Sequence, residues 1–121
     1  MEKVKGIGGV FFRAHDAVAL SAWYRDHLGV DPVPQGPGDL PWSTAGGATV
    51  FAPFPEDTTY FAADKGYMIN FRVDDLEALV AQLDAAGIIT KRLPDMEGVG
   101  KFAHLSDPEG NAIELWEPAA P

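Results

Sequence analysis

Two segments of the chain share one alternation of apolar and polar positions, and each leads into the same helical pattern. Residues 10–22 (VFFRAHDAVALSA) align without a gap with residues 69–81 (INFRVDDLEALVA), at an offset of about 59 positions. The identical pairs are Phe12/Phe71, Arg13/Arg72, Asp16/Asp75, Ala19/Ala78, Leu20/Leu79 and Ala22/Ala81. Because an internal repeat constrains architecture before any motif does, the pattern predicts two copies of one strand–helix–strands module in a small domain.

Module 1 is expected at about residues 5–55 and module 2 at about residues 64–118. Alternation predicts a strand over residues 10–14, then a helix with Asp16 at its start and Gly29 at its end. Module 2 repeats this plan, with Asp74 and Glu77 at the spacing of a capping box and Gly87 after the helix. The apolar stripes of the two helices are Leu20, Trp23, Tyr24 and Leu28, and Leu76, Leu79, Val80 and Leu83.

The remaining segments predict short strands separated by loops. Residues 31–47 are rich in proline and glycine and indicate a loop, residues 48–52 a strand, and residues 53–66 a connector between the modules. Further strands are expected at residues 88–93, 102–106 and 112–116. The last two form a hairpin around Asp107-Pro108-Glu109-Gly110-Asn111, a composition explained by turn formation alone.

Composition limits the possible partners. The 121 residues suit a single domain over residues 1–121, and the absence of cysteine excludes disulfides, thiolate metal sites and cysteine nucleophiles. A formal charge of −9 disfavours nucleic acid, which needs a basic surface, and no apolar run is long enough for a membrane span. A cytoplasmic protein is expected. The acidic charge favours a cationic ligand, but only weakly, since it also serves solubility.

The segments GVFFRAHDAVALSAWYRDHLGV, INFRVDDLEALVAQLDAAGI and HLSDPEGNAIELWEP together resemble the vicinal oxygen chelate superfamily over essentially the whole chain. That superfamily includes glyoxalase I, extradiol dioxygenases and bleomycin-resistance proteins. The resemblance implies an α+β fold of two βαβββ modules forming a cupped mixed sheet, usually in a homodimer. It does not fix the reaction, because such modules carry several chemistries and also plain binding.

Catalytic members of the superfamily hold a divalent metal on the open face of the cup. Carried over by the resemblance, the four ligand positions fall on Gly9, Phe51, Met68 and Glu114, with Phe51 the least secure in register. Only Glu114 is a ligand for a hard cation, whereas metal catalysis needs about three protein ligands. The sequence therefore predicts no metal cofactor.

Polar residues expected on the open face are the candidates for chemistry. Glu114 is a possible general base or counter-ion, with a buried ion pair to an arginine as its structural alternative. His104 is the one histidine expected to share a cavity with it. Arg13 and Arg72 suit a carboxylate or phosphate clamp, or else structural ion pairs. Asn70 is a hydrogen-bond candidate, and Trp42, Phe51, Met68 and Trp116 are candidate packing residues.

Aromatic residues near the loops are expected to line the mouth of the cup, although about half of them are expected to be core or dimer contacts instead. They are Trp42, Phe51, Phe54, Tyr60, Phe61, Tyr67 and Trp116. Three functions stay open. The first is a metal-free binder or isomerase/lyase for a small organic molecule, with Glu114 and His104 as catalytic candidates. The second is a metal-dependent lyase or dioxygenase, and the third is an interaction domain with a vestigial pocket.

Overall fold

The structure, a computed structural model, describes residues 1–120. Its elements are α1 (Ala17–Leu28), β1 (Met68–Arg72), α2 (Leu76–Ala85), β2 (Lys91–Arg92), β3 (Gly100–Ser106) and β4 (Ala112–Pro118). The four strands form one sheet in the order β1-β4-β3-β2, in which β1 runs parallel to β4 and the other pairs are antiparallel. The predicted α+β class and mixed sheet are confirmed, and module 2 has the complete βαβββ order.

Both helices begin and end as the repeat requires. The carboxylates of Asp16 and Asp75 each accept the amide hydrogen three residues on, which satisfies one free N–H of the first turn. Gly29 and Gly87 follow the two helices with φ of +69° and +78°, in the left-handed region that glycine adopts without a steric penalty. The capping box predicted at Asp74 is wrong, because the N-cap of α2 is Asp75, the exact repeat partner of Asp16.

The period-two pattern separates the sheet into two faces. One face meets both helices through a core of Leu20, Tyr24, Leu76, Leu83, Ala103, Leu105, Ile113 and Leu115. On the other face, residues that are paired between neighbouring strands form rows across the sheet. Its central row is Asn70, Glu114, His104 and Lys91, and the flanking rows are Arg72, Trp116 and Phe102, and Met68, Ala112 and Ser106. We call this second side the open face.

The turn between β3 and β4 also braces α1. The Asp107 carboxylate accepts hydrogen bonds from the Tyr24 hydroxyl at 2.7 Å and from the Asn111 side chain at 2.7 Å. The Glu109 carboxylate accepts the backbone N–H groups of His15 and Asp16, where a negative charge complements the helix dipole. The turn therefore does more than reverse the chain, because it joins the helix of module 1 to the sheet of module 2.

The strands predicted for module 1 do not form. Residues 10–14 and 48–52 contain no strand, and Phe11 and Phe51 are 93% and 86% exposed. Alternation creates two faces but supplies no partner for the backbone, and an isolated strand is not stable without one. The intervening segment is interrupted by prolines, which lack the N–H that a ladder needs. The strand predicted at residues 88–93 is likewise reduced to Lys91–Arg92.

Within residues 1–120, neither helix has the length and apolar character that crossing a bilayer demands.

Candidate functional site

A hydrogen-bonded cluster surrounds the carboxylate of Glu114 at the centre of the open face. Glu114 is only 6% exposed, although it is a charged residue in a small domain. Its Oε1 accepts the Asn70 side-chain amide at 2.8 Å, and its Oε2 lies 2.7 Å from His104 Nε2 and accepts the Tyr60 hydroxyl. A buried carboxylate requires such donors, because without them desolvation would be costly. We call these four residues the Glu114 cluster.

Strand register places three members of the cluster. Asn70 and His104 lie directly opposite Glu114 on the neighbouring strands β1 and β3. Opposite residues in a sheet have their Cβ atoms about 5 Å apart, so short polar side chains on one face meet. The sequence predicted the juxtaposition of His104 and Glu114, and the geometry confirms it. The buried ion pair between Glu114 and an arginine, considered as its alternative, is absent among the described residues.

Tyr60 enters the cluster from the connector over residues 53–66. Its ring meets the His104 ring edge-on at 5.0 Å and 90°, and packs against Phe54 at 5.8 Å. Burial, and then the hydrogen bond donated to Glu114, raises the pKa of the Tyr60 phenol well above its ordinary value. The sequence placed Tyr60 among the aromatics at the mouth of the cup but missed this hydrogen bond, because the irregular connector gives no periodic signal.

Arg72 has a structural partner in place of a ligand. Its guanidinium donates to the carbonyl oxygens of Ala45, at 2.8 Å, and Ala48. A Cβ atom on Gly47 would lie 2.8 Å from Arg72 Nε, so the absence of a side chain at Gly47 permits this approach. Arg72 thus fastens the loop of module 1 across the open face and is not directed at Glu114.

Trp116 lies on the open face one row from Glu114. It stacks on Phe102, with ring centroids 6.2 Å apart, and its indole N–H donates to the Val99 carbonyl at 2.9 Å. Met68 lies on the same face in the opposite flanking row. Both residues therefore lie in the rows next to the Glu114 cluster.

The structure does not bring the other predicted binding residues to the cluster. Arg13 and Phe51 are exposed in segments that form no strand, so no ladder directs their side chains into the cup. The ring of Trp42 lies 6.2 Å from that of Phe71, on the helix-bearing side of β1. Gly9 is also exposed and outside any strand, so it does not share a hollow with Met68 and Glu114 as predicted.

Two depressions border His104. One, with a volume of about 220 Å³, is lined by residues that include Phe61, Lys65, Met68, His104, Ser106 and Ala112. The other, of about 540 Å³, is a wider groove between residues 87–91 and the end of β3. Both depressions reach the Glu114 cluster through His104, and the smaller one also includes all of the Met68, Ala112 and Ser106 row of the open face.

The donor set of the cluster does not fit the divalent metal of catalytic relatives. Within residues 1–120, no group of three His, Asp or Glu side chains converges in a way that could hold an ion. The His104–Glu114 pair offers two ligands where about three are needed. The Glu114 carboxylate already accepts three hydrogen bonds, so a cation would compete with donors that are in place.

The fold and the site together define the class of protein: an α+β domain with a polar cluster on the open face of a mixed sheet. The chain belongs to the glyoxalase-like domain family, whose model matches residues 9–116. No curated protein matches the sequence.

Several solved structures share the fold. A lactoylglutathione lyase from Agrobacterium tumefaciens is 23% identical, with a TM-score of 0.63 and 96% of each chain covered. A glyoxylase/bleomycin resistance protein/dioxygenase domain from a Frankia species is 21% identical, with a TM-score of 0.62 and coverage of 97% of this chain and 100% of that one. An antibiotic binding protein from a Streptomyces species is 22% identical, with a TM-score of 0.51 and coverage of 86% and 88%. At these identities the likeness is one of fold.

Proposed function

We propose that the chain binds a small organic molecule on the open face of its sheet, beside the Glu114 cluster and without a divalent metal. The observation that carries this proposal is the buried Glu114 carboxylate, held by Asn70, His104 and Tyr60 where the sheet faces away from the helices. Convergent polar groups beside apolar walls are what small-molecule sites share. The similarity in fold to an antibiotic binding protein agrees with this role.

Sequestration is better supported than catalysis. A general base needs a free lone pair within reach of the substrate proton, whereas Glu114 is buried and accepts two hydrogen bonds at Oε2 and one at Oε1. His104 is the remaining catalytic candidate, because its Nε2 faces Glu114 and its Nδ1 makes no hydrogen bond among the described residues. A metal-independent isomerase or lyase in which Glu114 orients His104 is therefore the alternative activity. We further propose that the protein acts in the cytoplasm as a homodimer.

Ligand binding is tested by NMR on the full chain with a library of small aromatic and polar fragments. The Asn70 side-chain amide and the His104 imidazole report on the Glu114 cluster, and we expect fragments to shift these signals. The Glu114→Gln variant keeps the size of the side chain but removes its charge, so it is the matched control and should weaken the responses. Shifts confined to other parts of the molecule would contradict the proposal.

Metal dependence is tested separately on protein purified without added ligands. Native mass spectrometry should show neither a stoichiometric metal ion nor a mass change on titration with Zn²⁺, Ni²⁺, Mn²⁺ or Fe²⁺. A metal-dependent lyase or dioxygenase would instead retain one equivalent of metal and lose it in the His104→Ala variant. That result would overturn the metal-free assignment and leave ligand binding at the same face in place.

A further inference from the structure

Tyr60 occupies the Glu114 cluster much as a bound ligand would. The connector that carries it forms no helix or strand, and Tyr60 is 38% exposed, so its ring is not a core side chain. Within the site, the Tyr60 hydroxyl donates a hydrogen bond to Glu114, and the Tyr60 ring contacts the His104 ring edge-on. A phenol is thus the one chemical group that the structure places against this carboxylate from outside the sheet.

The adjacent cavity is open on one side and large enough for one aromatic ring. Its volume is about 220 Å³, and a protein cavity of about 150 Å³ is known to hold benzene. Phe61, Met68 and Ala112 give it apolar walls. The Met68–Ala112 row lies two residues along the strands from Glu114, which is about 7 Å and close to the length of a phenol. A ring in the cavity would therefore carry its hydroxyl to the carboxylate.

Glu114 has little free surface while its three hydrogen-bond partners are in place. With the Tyr60 hydroxyl in place, Glu114 is 6% exposed and does not line the cavity. Of the three donors to this carboxylate, Asn70 and His104 are fixed on strands β1 and β3, so the Tyr60 hydroxyl is the donor that a ligand can replace. Since the connector is held by few regular backbone bonds, this exchange leaves the sheet and its core unchanged.

Charge narrows the chemical class of the ligand. A ligand that lies in the cavity with its polar end at Glu114 meets a negative charge there and the positive charge of Lys65 on the wall, so a neutral ligand is repelled by neither. A phenol hydroxyl is a strong neutral donor, since hydrogen bonds to an ionised acceptor are the strongest available to it. The aromatic ring also reproduces the edge-on contact with His104.

We propose that the Glu114 cluster and its adjacent cavity bind a single-ring hydroxyaromatic compound, whose hydroxyl replaces that of Tyr60 on Glu114. This inference rests on the proposed binding function and specifies its ligand class. It assigns Tyr60 as an internal competitor for the site. The connector consequently moves aside when the ligand binds.

The test is an NMR titration of the full chain with four probes of similar size: 4-methylphenol, toluene, benzylamine and benzoate. The variants are Tyr60→Phe, which removes the competing hydroxyl, and Tyr60→Ala, which removes the ring as well. Tyr67→Ala is the matched control, because Tyr67 is similarly exposed, at 41%, and has no bond to Glu114. Amide spectra establish that each variant is folded before any affinity is compared.

We expect 4-methylphenol to bind more tightly than the other three probes. Its affinity should rise about tenfold or more in Tyr60→Ala, rise less in Tyr60→Phe, and stay unchanged in Tyr67→Ala. The reason is that the ligand no longer competes with the hydrogen bond that Tyr60 donates to a charged acceptor. Adding Glu114→Gln to Tyr60→Ala should abolish most of that gain. Should Tyr60→Ala fail to fold, the Tyr60→Phe comparison with the unmodified chain decides the question.

Two results would overturn this inference. Equal affinity for 4-methylphenol and toluene would show that the hydroxyl is not recognised, and equal affinity in the Tyr60 variants would show that Tyr60 does not compete. Preferential binding of benzylamine or benzoate at His104 and Asn70 would reject the ligand class and retain the proposed binding function. The proposed binding function has its own test. It is wrong if no fragment of the wider library shifts the NMR signals of Asn70 and His104.

Discussion

Glu114 is stable in a buried position because all of its immediate polar neighbours are donors. Asn70, His104 and Tyr60 approach from two strands and the connector, so no single element creates the site. Replacing one donor by an acceptor should therefore be far more damaging than deleting it.

The Asn70→Asp variant would place a second carboxylate beside Glu114, where the amide nitrogen now lies at 2.8 Å. Two carboxylates at that separation do not both ionise readily, so the folded variant takes up a proton that its unfolded chain does not hold at pH 7. Stability then increases as the pH falls, because the folded state binds more protons. We expect a loss of about 2–4 kcal/mol at pH 7 that shrinks by pH 5, measured by urea unfolding.

Asn70→Ala is the control for that measurement. It removes the same hydrogen bond without adding a charge, so its smaller loss should not depend on pH over this range. Equal penalties for Asn70→Asp at pH 5 and pH 7 would show that the two carboxyl groups do not interact.

Tyr24 makes the stability of the fold sensitive to alkali. Burial, and then its hydrogen bond to Asp107, raises the pKa of the Tyr24 phenol well above its ordinary value. Below about pH 10 the phenol is protonated in both states, whereas above it only the unfolded chain releases the proton. Stability is thus lost as pH rises past about 10, by up to about 1.4 kcal/mol per pH unit for this one group.

The Tyr24→Phe variant should be less stable than the unmodified chain at pH 8, because Asp107 loses a donor. Its stability should then fall less steeply between pH 9.5 and 11. Urea unfolding monitored by circular dichroism measures both slopes. Parallel slopes in the two proteins would mean that Tyr24 ionises as easily in the folded state as in the unfolded one.

Alternation along β1, β3 and β4 was sufficient to predict which polar residues share the open face. The period of two predicts that Asn70, His104 and Glu114 lie on this face, because pairing with a parallel or antiparallel strand does not change the side that a residue faces. Tyr60 does not follow, since a connector has no period and its path depends on the finished sheet. For the same reason the sequence could not foresee that Arg72 binds the carbonyl oxygens of Ala45 and Ala48.

Among the elements, both helices form as predicted, whereas two of the six predicted strands do not form and a third is reduced to Lys91–Arg92. A helix satisfies its own backbone, so the apolar stripe and cap of α1 determine it locally. A strand needs a neighbour, and the sequence of residues 10–14 or 48–52 cannot reveal whether one is present. The repeat thus predicted two equivalent modules, whereas only the second forms its own ladder.

Helix α2 offers a clean comparison of two adjacent aspartates. The Asp75 carboxylate accepts the Ala78 amide hydrogen at 3.0 Å, whereas the sequence predicted Asp74 in that role. Asp75→Ala should lower the free energy of unfolding by about 1 kcal/mol, because the first turn loses an N-cap. Asp74→Ala removes the same charge one residue earlier and should have an effect within about 0.5 kcal/mol. Thermal unfolding of both variants checks this, and an equal loss would restore the sequence-based assignment.

At the scale of the whole molecule, the distribution of exposed apolar side chains is uneven. Large exposed residues concentrate in the segments of module 1 that form no strand, among them Val10, Phe11, Val50 and Phe51. β1 is also an edge strand, with one row of backbone groups outside the sheet. Monomeric proteins seldom leave such apolar surface and such an edge uncovered together. Both features agree with the proposed homodimer.

A homodimer of this kind predicts a particle of twice the 13.0 kDa chain mass in size-exclusion chromatography with light scattering. Because each copy carries a formal charge of −9, the copies repel one another, and added salt should shift the equilibrium towards the dimer by screening. Phe11→Asp and Phe51→Asp should dissociate it, since each would bury a charge in the contact. Ile89→Asp is the matched control, because Ile89 is 89% exposed but lies between α2 and β2, outside the unpaired segments of module 1. A monomer at all salt concentrations, or dissociation by Ile89→Asp as readily as by Phe11→Asp, would exclude the unpaired segments of module 1 as the contact surface.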